Sequence, residues 1–232
     1  MSAVRLALLN AAHEGAQTRR NFRRELDAEL VEFEATRGQL PTTFDFDGCV
    51  VTGSRSSVYW EEDWIPPLKA WLREALDREL PFLGVCYGHQ ILADVLGGDV
   101  EDMGEYEIGY REVVHFENTE LFDGIDRRFT VFTTHSDRVR RLPDGATVLA
   151  ANEYGIHGFR WKDVYGVQFH PEYDLETART VTEGKELPEA RKDAVLADIT
   201  EHRHAQAGQS KQLFANFTDL VRQRRPQALA AD

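Results

Sequence analysis

Apolar residues fall into short runs along the first hundred positions, and the runs differ in period. Val4 to Leu9 is almost continuously apolar and is predicted to be a buried strand. From Thr18 to Glu34 charge dominates, but Phe22, Leu26, Leu30 and Phe33 recur at helical spacing, so the pattern predicts a helix over that stretch. Thr42–Phe46 and Cys49–Thr52 have the length and composition of short strands. Trp64–Leu76 returns to helical spacing through Ile65, Leu68, Trp71, Leu72, Ala75 and Leu76, with prolines near its start. Pro81–Cys86 reads as a strand. Gly88–Leu96 reads as a helix, stopped by Gly97 and Gly98. Such alternation of strand and helix predicts an α/β fold: an open, mostly parallel sheet with flanking helices, of the flavodoxin-like type.

The middle of the chain changes period. Tyr106–Phe116, Thr130–Thr134, Thr147–Ala151, His157–Trp161 and Val164–Phe169 are five strand-like runs separated by turn residues, "PDG" at 143–145 and "NEYG" at 152–155 among them. They predict a small antiparallel extension of the sheet. Pro188–His202 is charged and helix-like. Gln212–Val221 places Leu213, Phe214, Phe217, Leu220 and Val221 on one face, as a helix packed on the body would. The expected organisation is one domain over 1–232, with a charged helical insertion or extension at about 175–210 and a closing helix at about 211–223.

Composition narrows the function. With 42% hydrophobic residues and no apolar run long enough to cross a bilayer, no membrane association is expected. The N-terminus reads as a first strand rather than a signal peptide, which points to the cytoplasm. The net charge of -13 argues against a nucleic-acid binder. Lysine stands only at 69, 162, 185, 192 and 211, and arginine supplies the remaining cations. An acidic, lysine-poor chain suggests a halophilic origin; an ordinary acidic enzyme is the alternative. Two cysteines make no disulfide framework. CxxC, HExxH and phosphate-loop signatures are absent, so no metal or cofactor is expected.

One cysteine lies at a corner. In "PFLGVCYGHQIL" the strand pattern stops at Cys86 and a helix pattern begins at once, with Gly84 and Gly88 two positions to either side. G-x-C-x-G between strand and helix is the thiol form of the nucleophile elbow. The helix start would favour thiolate, and the Tyr87 N–H could donate to an oxyanion. A buried cysteine filling space at a strand end is the competing reading, and Cys49 is read that way. A nucleophilic thiol needs a base. His89 is near in sequence but lies within the helix. His170 ends a strand, and Glu172 follows at i+2, on the same side of an extended backbone, where a carboxylate can orient the ring. A plain His-Pro turn with Glu172 in solvent is the alternative.

Five stretches, "VVTGSRSSVY" (50–59), "GVCYGHQILADVLGG" (84–98), "EIGYREV" (107–113), "THSDRV" (134–139) and "GVQFHPE" (166–172), together resemble the class I glutamine amidotransferases, most closely the glutaminase domains of GMP-synthase-like proteins. They occur in the family's order and cover roughly residues 1–174. The resemblance implies glutamine hydrolysis by a Cys86, His170 and Glu172 triad through a γ-glutamyl thioester. It implies an oxyanion hole from the N–H groups of Gly53 and Tyr87, and substrate contacts from Gln90, Glu107, His135 and Asp137. Tyr110 matches the same pocket strand as Glu107. His135 and Asp137 could equally be capping or core polar residues. The resemblance also implies that ammonia passes to a synthetase subunit, since only a helical tail follows the matched region. A free-standing γ-glutamyl hydrolase or peptidase shares the chemistry, and a non-catalytic regulatory homologue is the remaining class.

Overall fold

The structure, a computed structural model, describes residues 3–116 and 119–224. Its first strand, β1 (Arg5–Asn10), is buried from Leu6 to Asn10 because both of its faces are covered. Leu6 and Leu8 join a core layer with Phe22 of helix α1 (Gly15–Glu25). Ala7 and Leu9 join the opposite layer, with Leu68 and Leu72 of α2 (Ile65–Asp77) and Ile91 and Leu92 of α3 (Tyr87–Val95). The period of two along the strand thus feeds two separate cores.

Among the described residues nine strands form one sheet in the order β2-β1-β3-β4-β9-β8-β7-β5-β6. β2 (Glu29–Glu34), β1, β3 (Gly48–Val51), β4 (Phe82–Val85) and β9 (Val164–Val167) run parallel. β8 (Gly155–Trp161), β7 (Thr147–Asn152), β5 (Asp99–His115) and β6 (Arg128–Arg141) continue antiparallel. The chain is therefore an α/β protein with a mostly parallel body, flanking helices and an antiparallel extension. That extension is larger than the sequence pattern indicates, because β5 and β6 pair over most of their 17 and 14 residues. The closing helix α7 (Gln212–Arg224) buries Leu213, Phe214 and Phe217 against the first core layer. A fully buried side chain of this size contributes about 1.5–3 kcal/mol.

Three expectations change. The helix predicted over Thr18–Glu34 ends at Glu25, and its second half is strand β2. The segment ELVEFE pairs residue by residue with β1, whose free edge needs a hydrogen-bonding partner. As an edge strand it stays half-exposed, so its alternation is weak and mimics a helical repeat. Thr42–Phe46 is not a strand. Phe44 instead stacks on Trp71 at 5.2 Å, and Phe46 meets Phe33 edge-on at 6.0 Å, so the alternation serves ring packing. The helix predicted over Pro188–His202 breaks into α5 (Glu189–Asp198) and α6 (Glu201–Ala207). The break buries Ile199 in a third small cluster with Ile108, Tyr110 and Phe132, while Thr200 caps α6 by accepting from Arg203 N at 3.2 Å. Helix α4 (Leu175–Glu183) precedes them and has Asp174 as its N-cap.

Candidate active site

Cys86 stands between β4 and α3 with φ 55° and ψ -104°, a conformation rarely adopted by a residue with a side chain. The two flanking glycines allow it. A β-carbon on Gly84 would lie 2.3 Å from the carbonyl oxygen of Gly88, and one on Gly88 would lie 2.2 Å from that of Val51. Any larger residue at either position would force strand and helix apart. The turn is held by Cys86 N, which donates to Val167 O at 2.8 Å, and by Gln90 N, which donates to Cys86 O at 3.1 Å. Tyr87 opens α3, and the N–H groups of a first helical turn have no acceptor within the helix. The thiol is 5% exposed and lies 3.9 Å from Thr134 O.

Gly53 follows β3 and lies beside both His170 and Cys86. A β-carbon there would be 3.0 Å from His170 Cε1 and 3.6 Å from Cys86 Cβ. Its loop is anchored on both sides: Ala11 N donates to Thr52 Oγ1 at 2.9 Å, and His13 Nε2 and Ser56 Oγ are 2.8 Å apart. The two ties join residues 41 and 43 positions apart, which no local pattern reveals.

His170 and Glu172 follow β9. His170 N donates to Phe132 O at 2.9 Å, which ties the turn to β6. The ring's Nδ1 donates to Glu172 Oε1 at 2.8 Å, and its other face stacks on Tyr173 with centroids 4.1 Å apart. The ring is 5% exposed and the carboxylate residue 1%. Burial works against charge on the imidazole, but Glu172 and then Cys86 outweigh it and push His170 up to about 10. Arg24 of α1 donates to Glu172 O at 2.5 Å and to Asp174 at 2.8 Å, so α1 clamps the turn from outside. His89, the nearer histidine in sequence, is fully buried against Phe159, and burial lowers it to about 3.

The residues matched to substrate contacts divide. Gln90 lines a cavity beside Cys86, with its Nε2 donating to Asp137 O at 3.0 Å and to Gln168 Oε1 at 3.1 Å. Asp137 lines it too and accepts from Tyr59 OH at 3.1 Å. Burial pushes its carboxyl up, and Ser57 and Tyr59 pull it back. His135 also lines this cavity. Glu107 does not. It is fully buried behind His135 Nε2 at 2.6 Å, and also accepts from His157 Nε2 at 3.1 Å and Asn152 Nδ2 at 2.7 Å. Burial opposes its charge, yet these hydrogen bonds hold the carboxyl well below the usual range. His135 Nδ1 meanwhile donates to Asp137 O at 2.9 Å. Tyr110, on the same strand, packs edge-on against Phe132 in the third cluster rather than in the cavity.

Glu107, His135 and His157 bring ligand-type atoms within 4.8 Å of one another. Atoms each about 2.0–2.1 Å from a tetrahedral zinc would stand more than ~3 Å apart. The 2.6 Å contact fits a hydrogen bond and not a pair of metal ligands. Tyr173, Thr134 and His157 were not found from sequence. Tyr173 adjoins the His-Pro-Glu turn and carried the only local signal, an aromatic one residue past it.

A doubly wound α/β sheet that presents a thiol, an imidazole and a carboxylate at the carboxyl ends of its parallel strands is a recognisable class of site. The family model for glutamine amidotransferase class-I matches residues 13–186. The chain belongs to the class I glutamine amidotransferase family. It is 31% identical over 185 residues to a glutamine-hydrolysing GMP synthase of Azoarcus sp. (strain BH72), covering 74% of this chain and 34% of that protein. It is 36% identical over 129 residues to the Staphylococcus aureus (strain JH9) enzyme of that name, covering 54% and 24%. The chain thus spans about a third or less of these relatives. Among solved structures, a glutamine amidotransferase from Thermotoga maritima superposes with a TM-score of 0.78 at 25% identity, over 94% of this chain and all of that one. One from Methylobacillus flagellatus shares the fold with a TM-score of 0.78 at 21% identity, over 94% and 95%. No helix among the described residues is long and apolar enough to cross a membrane.

Proposed function

We propose that the chain hydrolyses the side-chain amide of glutamine at Cys86. The observation that carries this reading is one constellation: a strained elbow cysteine beside a histidine that is itself hydrogen-bonded to a buried glutamate. Cys86 attacks the γ-carbonyl, and the N–H groups of Tyr87 and Gly53 receive the developing oxyanion. His170 gives its proton to the departing nitrogen, so ammonia leaves and a γ-glutamyl thioester remains. Water then attacks the thioester, passing a proton to His170, and glutamate departs with Cys86 restored. Glu172 orients the ring and stabilises its charged form. Gln90, His135 and Asp137 contact the amino-acid head, and Glu107 acts on it only through His135. The ammonia goes to a synthetase subunit, by analogy with the GMP synthase relatives, in a cytoplasmic setting. A free-standing γ-glutamyl hydrolase is the second reading, favoured by the size of the cavity on the His170 side of Cys86, about 110 Å³.

The test uses a glutamine-like alkylating agent, 6-diazo-5-oxo-norleucine, with peptide mapping and activity assays. The adduct is expected on Cys86 and not on Cys49, whose thiol is fully buried and pushed up by burial. Cys86→Ala and His170→Ala should each remove nearly all glutaminase activity, with Glu172→Ala retaining more. An adduct on Cys49, or substantial turnover by Cys86→Ala, would overturn the assignment.

A further inference from the structure

The hydrogen bond from His170 Nδ1 to Glu172 Oε1 fixes one edge of the imidazole and leaves its plane free to turn about that bond. Proton transfer needs the plane as well, since Nε2 must reach first the Cys86 thiol and then the departing nitrogen. Two neighbours supply that restraint. Gly53 approaches Cε1 so closely that a β-carbon there would lie 3.0 Å away. Tyr173 covers the ring face, with centroids 4.1 Å and planes 26° apart.

Tyr173 is itself held in place. Its ring tilts against Phe132 at 5.8 Å, and it packs on the third cluster, which includes Ile108, Tyr110, Phe132 and Ile199. Strands β5 and β6 supply the first three of these, and the break between α5 and α6 supplies Ile199. Any apolar side chain could fill that space. What a phenol ring adds is electrostatic, because its face is the negative end of a quadrupole and attracts a cation laid over it. His170 becomes a cation whenever it takes the thiol proton or a proton from water. At 5% exposure it gains little from solvent, so the ring face counts for more than it would at the surface.

The charged groups around the pair come from several elements. Glu172 and Cys86 face the imidazole and favour its protonated form. Both also act on the phenol, with Tyr106 of β5 and Arg55 of the loop after Gly53. Glu14, ahead of α1, and Lys185, past α4, line the cavity that Tyr173 lines. Arg24 reaches the outside of the turn, where it donates to Glu172 O. By sign, Arg55 and Lys185 oppose a charged imidazole and Glu14 supports one. Tyr173 is the neutral group stacked on its face.

We propose that Tyr173 is a positioning residue for His170: its ring face fixes the imidazole plane and favours the protonated form through which each proton transfer passes. The inference rests on the acyl-enzyme reading above. Tyr173 lines the cavity of about 110 Å³ on the His170 side of Cys86, and not the one of about 100 Å³ that contains Gln90, His135 and Asp137. Its loss should therefore act on turnover rather than on glutamine binding.

The experiment compares Tyr173→Leu, which keeps apolar bulk without a ring face, with Tyr173→Phe; Tyr173→Met replaces the leucine variant if that one does not fold. The readouts are the NMR titration of His170 and the kcat and KM for glutamine. In Tyr173→Leu the imidazole should titrate about one pH unit lower than in the wild type, the size expected for a cation over a desolvated ring. Its kcat should fall about tenfold or more, as a misplaced ring predicts, with KM little changed. Tyr173→Phe should recover most of both. A merely structural role would lower kcat or the melting temperature without moving the titration, and that result overturns the inference. So does a Tyr173→Phe protein as impaired as Tyr173→Leu, because the hydroxyl and not the ring face would then be acting. A wild-type chain that turns over no glutamine rejects the glutaminase reading; the titration, which needs no substrate, still decides whether Tyr173 supports the imidazole.

Discussion

His170 Nδ1 lies 2.8 Å from Glu172 Oε1, and both residues are buried. The pair raises the imidazole from its ordinary 6.5 to about 10, with Cys86 contributing to the rise. A group raised in the folded state adds stability that is full below its unfolded pKa and is lost as pH climbs through its folded one. That window runs from 6.5 to about 10 here. NMR titration of the imidazole should show His170 titrating at lower pH in Glu172→Gln, and also in Cys86→Ala. An unshifted titration in both variants would show that neither group faces the ring.

Gly53→Ala tests the tight approach at the candidate oxyanion loop. The new methyl would meet His170 Cε1 at 3.0 Å, and Tyr173, stacked on the ring with centroids 4.1 Å apart, leaves it room to give way only slightly. A displacement of the ring by a fraction of an ångström should lower kcat about tenfold or more. Stability should change by only ~1 kcal/mol, since the loop is half-exposed. Wild-type kcat in a folded Gly53→Ala protein would mean that His170 does not depend on this packing.

Glu107 is the acceptor for two buried histidines and Asn152. Glu107→Ala should cost about 3–5 kcal/mol in denaturant unfolding, the range for breaking a buried charged pair. Its carboxyl is depressed in the folded state, so its contribution is present above the unfolded carboxylate pKa and fades as pH falls. The gap between wild type and variant should therefore narrow in acid. A loss no larger than an ordinary surface substitution, ~0.5 kcal/mol, would count against the network's importance.

Salt should stabilise the protein. Screening acts on the repulsion of a -13 chain and also on surface pairs such as Arg23–Glu32 and Arg78–Glu74. Exposed pairs contribute little each, ~0.2–1 kcal/mol, so the net repulsion should dominate. The melting temperature is expected to rise from dilute buffer to molar KCl. A flat response would leave the composition without the halophilic explanation.

Several parts of this protein could be read without coordinates because local chemistry dictates them. Near-continuous apolar runs at Val4–Leu9 and Pro81–Cys86 read as strands covered on both faces, and glycines two positions either side of Cys86 leave room only for a tight strand-to-helix turn. The i+2 spacing of His170 and Glu172 puts both side chains on one side of an extended backbone, whatever surrounds them. Other features depended on partners distant in sequence. Glu29–Glu34 became a strand because β1 had an open edge, and Ile199 broke a helix because a cluster of Ile108, Tyr110 and Phe132 could bury it. Glu107 left the cavity for the same kind of reason: His135, His157 and Asn152 come from three other strand or strand-end positions, and together they satisfy a buried carboxylate better than solvent at the cavity wall would. Arg55 and Lys185, 130 positions apart, line one cavity beside Cys86 because the segment past α4 lies against the loop that follows Gly53. Periodicity reports which face of an element is apolar, but the identity of what meets that face is a long-range property, and only the tertiary structure decided it.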